Sequence, residues 1–147
     1  MTELIDFFSV VSSTGINKVG ENYEATFESD PNRLVTALEL SAAKKLKLKA
    51  DIDDLTAAKI AAIFGLELEP KSSELLIKQI NASARVSDLQ QIVISGGSLS
   101  VVETAERDAI QAIWNRVKEL RAYGAGLEVT VASADPDTFD INAGWPE

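Results

Sequence analysis

The chain has no cysteine and no histidine among its 147 residues. Those absences exclude disulfides, thiolate nucleophiles, zinc sites built on cysteine or histidine, histidine-ligated haem, and any catalytic triad that needs an imidazole base. No apolar run is long enough to span a bilayer: the longest uncharged stretch, Leu89 to Val102, holds 14 residues and is broken by Gly96 and Gly97. The start reads Met1, Thr2, Glu3, with Asp6 close behind. It lacks the basic opening of an export signal, so secretion by a signal peptide is not expected.

What remains is ordinary for a globular domain. A hydrophobic fraction of 46% and a charged fraction of 25% argue against disorder and fibrous repeats. A chain of this length hides about two thirds of its surface on folding, enough for a core. The formal charge is −9, but its distribution is uneven. Residues 1–43 carry 2 basic and 7 acidic side chains, residues 44–85 carry 8 and 6, and residues 86–147 carry 4 and 10. Duplex binding draws most of its affinity from neutralising phosphates, so only the middle block could serve it. Lys44, Lys45, Lys47 and Lys49 are its densest part, joined by Lys59, Lys71 and Lys78. No aromatic residue is interleaved with the lysines at 44–49, so cations at a helix C-terminal end are the simpler account of them.

The patterning predicts a mainly α domain with a minor β element, an α+β class with several helices and two short strands. A helix capped by Thr2 runs to about Ser12, apolar almost all round through Leu4, Ile5, Phe7, Phe8, Val10 and Val11. Such a segment is either buried in the fold or docked on a partner. Tyr23, Ala25 and Phe27 alternate with Glu24, Thr26 and Glu28 as a half-buried strand. Asp30-Pro31 predicts a helix start, running to about Leu48 with Leu34, Val35, Leu38, Ala42 and Leu46 inward. A further helix starts at Asp51, Asp53 and Asp54 and stops at Gly65, and another follows Pro70 with Leu75, Leu76, Ile77 and Ile80. Ser87 caps a short helix ended by Gly96 and Gly97. Ser100 and Glu103 then form a capping box ahead of a long helix striped by Val102, Ala105, Ala109, Ile113, Val117 and Leu120. Gly124 is read as its stop, with a second strand in the alternation of Leu127, Val129 and Val131. The expected division is one helical domain over 1–133 and an acidic tail over 134–147.

Three residue sets invite a chemical reading. Asp51, Asp53 and Asp54 could hold a divalent cation, as could Asp135, Asp137 and Asp140 with Asn142, but neither set has calcium-loop spacing, and helix capping explains the first. Gly96, Gly97 and Ser98 could cradle phosphate, yet neither the Walker spacing nor the dinucleotide fingerprint is present. No pair of carboxylates stands out for glycosidase chemistry. The residue types therefore point to no enzyme, no cofactor and no metal. Trp114, beside the apolar stripe, is expected in the core. Trp145, next to Pro146, serves either as core with the tail folded back or as an anchor for a partner surface.

Two segments resemble known families. Leu55 to Ile80, with Gly65, Leu66, Pro70, Lys71, Ser73, Glu74, Leu75, Leu76 and Ile77, resembles the helix-extended loop-helix motif of SAP-type nucleic-acid-binding modules, with a longer link. The resemblance implies an adaptor that would use Lys44, Lys45, Lys47, Lys49, Lys59, Lys71 and Lys78. The second segment covers residues 114–147: Trp114, Arg116, Leu120 and Arg121 on a helix, an acidic linker, then Asp140, Ile141, Gly144, Trp145, Pro146 and Glu147. It is similar to the C-terminal segments of tailed-phage tail fibre and tail fibre assembly proteins. Ile80 to Ser83 and Val86 to Ile92 resemble short repeats near such ends. This resemblance implies a non-enzymatic structural or assembly protein, located in the virion or the host cytoplasm. Its partners would be other virion or tail proteins or further copies of the chain, with no membrane, and with nucleic acid left to the alternative. Phe7, Phe8, Trp145 and Pro146 are the expected partner-binding residues.

Overall fold

The structure is a computed structural model that describes residues 3–11, 13–28, 30–65 and 73–147. The protein is mainly α-helical with a small three-stranded antiparallel sheet, ordered β1-β2-β3. The strands are β1 (Gly15–Val19), β2 (Asn22–Thr26) and β3 (Arg33–Leu34), and the long helices are α1 (Ala37–Ile63), α2 (Ser73–Ile94) and α3 (Val101–Val131). The chain divides into two compact units, one of residues 1–53 with 126–143 and one of residues 54–125 with 144–147. Where the patterning suggests a tail beginning at 134, residues 134–143 belong to the first unit and 144–147 to the second.

The first unit opens with a short 3-10 helix, Leu4–Val10, in place of the expected α-helix, and the expected Thr2 cap lies outside the described residues. Phe8 (3% exposed) and Val11 pack with Ala25 and Ala43, bordered by Phe7, Ile16, Tyr23 and Leu40. Phe8 and Tyr23 meet with ring centroids 4.9 Å apart. The alternation around Ala25 forms β2 as read from the sequence. Its partner β1 joins it through a two-residue turn at Gly20 and Glu21, where Gly20 has φ 61°. That backbone favours glycine and is the geometry tight hairpins need.

Asp30-Pro31 does not start a helix. The start is a capping box at Thr36: the Thr36 amide donates to Glu39 Oε1 at 3.0 Å, and the Glu39 amide donates to Thr36 Oγ1 at 3.2 Å. Arg33 braces the same carboxylate with bonds of 2.7 and 3.0 Å. These bonds, with Arg33 first among them, bring the Glu39 carboxyl down to about 2. Leu34 and Leu38, expected inward, are exposed because the helix begins later than read. From there α1 passes through Asp51, Asp53 and Asp54 without a break. No glycine or proline interrupts 37–63, and Lys47 pairs with Asp51 one turn on at 2.7 Å. The Asp cluster is thus helix interior, neither a cap nor a metal loop.

In the second unit, α2 is continuous past Ser87, which is exposed in mid-helix. Its inward stripe, Leu75, Ala82, Val86, Leu89 and Ile92, keeps helical spacing through that residue. The helix ends as expected at the glycines: Gly96 takes φ 87°, and the Gly97 amide donates to the Ile92 carbonyl at 2.9 Å. The box before α3 also forms, with the Ser100 amide on Glu103 Oε2 at 2.8 Å and the Glu103 amide on Ser100 Oγ at 3.1 Å. Ile60, Ala61, Leu75, Val117 and Leu120 make the core, flanked by Ile63, Phe64, Ile113, Trp114 and Trp145. Val102, assigned to the stripe, is exposed, so the buried part of that stripe lies nearer the middle of α3.

Gly124 is not a helix stop. It is buried, and a Cβ there would overlap the Thr56 hydroxyl, so the glycine lets the α3 backbone lie directly against α1. The expected second strand at Leu127–Val131 is accordingly the last stretch of α3. Its burial confirms the period: Leu127, Glu128 and Val131 are covered, while Val129 is exposed, which alternation would not allow.

Candidate functional site

The sequence-derived candidates fall in three places. The first is the N-terminal pair. Phe8 is core, and Phe7 packs at the edge of the same cluster, so neither ring is displayed as a separate docking element. A shallow cavity of about 460 Å³ lies beside them, lined by residues that include Asp6, Ser9 and Thr14. Asp6 there accepts the Glu3 amide at 3.1 Å.

The second is the C-terminal segment. Gly144 has φ 76°, and a Cβ on it would overlap the Tyr123 hydroxyl, so this glycine turns the chain back against α3. Trp145 then packs on Tyr123 (centroids 5.0 Å) and on the core, with Lys59 Nζ 5.3 Å from its ring centroid. Arg116 Nη2 donates to the Pro146 carbonyl at 2.6 Å. Of the two readings of Trp145, the observed packing is that of a tail folded back, with Trp145 and Pro146 both partly covered. A cavity of about 310 Å³ beside them is lined by Lys59, Ala62, Ile63, Arg116, Leu120 and Pro146.

The third is the lysine set, whose charges are largely answered within the chain. Lys44 pairs with Asp137 at 2.6 Å, Lys47 pairs with Asp51, and Lys45 donates to the Ala132 carbonyl at 2.9 Å, beside the last turn of α3. Lys78 donates to the Phe64 carbonyl at 3.1 Å. Lys49 lies within electrostatic reach of Glu128, whose carboxyl is raised, first by burial and then by Asp53. Lys59 covers Trp145, and Lys71 lies outside the described residues. The lysines at 44–49 are therefore not a solvated end of their own helix, because α1 continues for several turns beyond them. The Asp135 to Asn142 loop closes on itself: Asp135 accepts the Asp137 amide and Asp140 accepts the Asn142 amide. Among the described residues no group of three or more acidic side chains is placed to hold a metal.

What the sequence reading missed is apolar. Leu76, Ile77, Ile80, Val93 and Ile94 on α2, and Val101 and Val102 at the start of α3, are all more than half exposed. The two cations of α2 find partners elsewhere, Arg85 in Glu106 through paired bonds of 2.8 Å and Lys78 in the Phe64 carbonyl. The usable signal was the arrangement of two apolar sets around α2, one at 75, 82, 86, 89 and 92 and one at 76, 77, 80 and 94. A single-sided helix needs only one.

No family model matches the chain, and no match is found among curated proteins or solved structures. Among the described residues no helix is long and apolar enough to cross a membrane.

Proposed function

We propose that this chain is a non-enzymatic structural or assembly protein of a tailed-phage particle, associated with the tail or its fibres and acting through protein–protein contacts. The observation that carries this reading is the contrast between answered charges and unanswered apolar side chains. The lysines that would meet phosphate are held by Asp137, Asp51, backbone carbonyls and Trp145, whereas seven large aliphatic side chains on α2 and early α3 face solvent. Exposed apolar surface of this kind marks contact with other macromolecules. The phage setting rests on the C-terminal resemblance. The helix and the closing Trp-Pro element that carry it touch through Arg116 and Pro146, which supports treating them as one piece.

The test is recovery of tagged chain from a lysate of phage-infected cells, with bound proteins identified by mass spectrometry. Virion tail proteins retained through a high-salt wash support the proposal. Retention of duplex DNA that falls steeply with added salt would overturn it in favour of the SAP-like adaptor, which needs the lysines to exchange their internal partners for phosphates.

A further inference from the structure

The outward face of α2 has an order of its own. Ile77, Ile80, Ala84, Ser87, Gln91 and Ile94 recur at spacings of three, four, three, four and three, and all six are exposed. Ile77 and Ile80 are 55% and 56% exposed and Ile94 is 75% exposed. That spacing is a heptad seam, the pattern by which one helix meets another along its length. Leu76 and Val93 flank it, as do Asn81, Ser83, Asp88 and Gln90. Asp88 is the one charge along the seam and its described flanks, in a chain whose formal charge is −9.

We propose that this face pairs with the same face of a second copy of the chain, α2 against α2, antiparallel, about a two-fold axis between Ala84 and Ser87. The proposal deepens the protein-contact reading above by naming one partner, and it does not need the phage setting. Self-pairing follows from the order of sizes. With the helices antiparallel, Ile77 meets the partner's Ile94, Ile80 meets the partner's Gln91, and Ala84 meets the partner's Ser87. Every layer then holds at least one apolar residue, and the small residues at the centre let the axes approach. A parallel pair would instead stack Ser87 on Ser87 and Gln91 on Gln91, and would align the helix dipoles unfavourably. The flanks agree with the antiparallel choice: Asn81, a donor, falls beside the partner's Asp88, and Ser83 falls beside the partner's Gln90.

Charge selects this face for self-association, because two strongly acidic chains meet with least repulsion where neither carries a run of charge. The area suits a weak pair. A fully exposed aliphatic side chain offers on the order of 100 Å², so Leu76, Ile77, Ile80, Val93 and Ile94 together hold roughly 300 Å². A standard interface covers about 800 Å² per partner and is a little over half apolar, so this face provides about two thirds of that apolar area, the size of a weak, reversible pair. The seam is only about two and a half heptads, some 26 Å long, so the pair dissociates on dilution.

The experiment uses the full chain and exploits its lack of cysteine. Light scattering after size exclusion, from about 1 µM to about 1 mM, is expected to move from monomer to dimer mass. Ile77→Glu and Ile80→Glu together should shift that transition at least tenfold upward in concentration. Their circular dichroism should be unchanged, because both side chains are solvent-exposed in the single chain. Ile77→Cys mixed with Ile94→Cys should give a disulfide-linked pair in air, while either variant alone should stay uncrosslinked. Crosslinking by Ile77→Cys alone would overturn the antiparallel register. Monomer mass across the whole range would overturn the self-pairing. Should that monomer still capture virion tail proteins, the self-pairing fails while the contact reading stands.

Discussion

The lysine stretch of α1 and the outward face of α2 invert the usual hierarchy of interest. Lys44 to Lys49 are the most conspicuous local feature of the sequence, yet Lys44, Lys45 and Lys47 each reach an acceptor inside the chain and Lys49 lies near Glu128. The α2 face looks like routine helix filling, yet its large aliphatic side chains are more than half exposed. A charge can be satisfied by one well-placed oxygen, whereas an apolar surface is satisfied only by area. The unanswered part of this molecule is therefore the part that needs area, and a partner supplies area.

That comparison can be broken or sharpened by mutation. The largest effect is expected where α2 and α3 face inward: Leu89→Ala or Leu120→Ala should lower unfolding free energy by about 2–5 kcal/mol, measured by urea titration, because both side chains are buried. The matching outward change, Ile80→Ala, should stay within about 0.5 kcal/mol under conditions where the chain is monomeric. Equal losses on the two faces would erase the distinction. Next in size, Gly124→Val should destabilise by about 1–3 kcal/mol through its clash with Thr56. Thr56→Ala should recover part of that loss in the double variant. A Gly124→Val variant as stable as the parent would mean the helices do not meet there.

Two carboxylates give smaller, pH-dependent effects of opposite sign. Glu39 has a folded value near 2, well below its ordinary 4.5. Its contribution is present above 4.5 and is lost as pH falls toward about 2, so Glu39→Gln should flatten the acid limb of the stability curve in that window. Glu128 is raised instead, by burial and by Asp53. Ionising it opposes folding, and the penalty develops as pH rises from 4.5 through the folded value. Glu128→Gln should therefore raise the melting temperature at neutral pH and lose that advantage below about 4.5. A loss of stability at neutral pH would mean that Lys49 outweighs both burial and Asp53.

Much of this fold is legible in the residues. The α+β class, the strand around Ala25, the glycines closing α2 and the Ser100–Glu103 box all follow from local chemistry and all appear. Several departures share a cause: a residue with two structural uses takes the less common one. Asp30-Pro31 looked like a helix start, while the Thr36–Glu39 box a few residues on carries the same signature as Ser100–Glu103. Gly124 reads as a stop, but its use is close approach, which depends on Thr56 and is invisible locally. The strand β1 is not legible because Ile16 and Val19 are too few to show alternation. At the candidate site, Trp145 was open between core and anchor because Gly144 reveals a turn but not its direction. The α2 seam escaped because apolar residues on both sides of a helix read simply as a greasier helix.

The turn at Gly96 and Gly97 sets α3 off directly from the end of α2, and α2 is an unbroken helix about 33 Å long. Two such helices laid head to tail would carry their α3 starts to opposite ends of one rod. The Val101–Val102 step would then be offered twice, on related sites set apart by about the length of the seam. A protein that binds that step weakly could hold the pair far more firmly than a single chain, provided its own sites match the spacing, so the length of α2 would act as a ruler for valency.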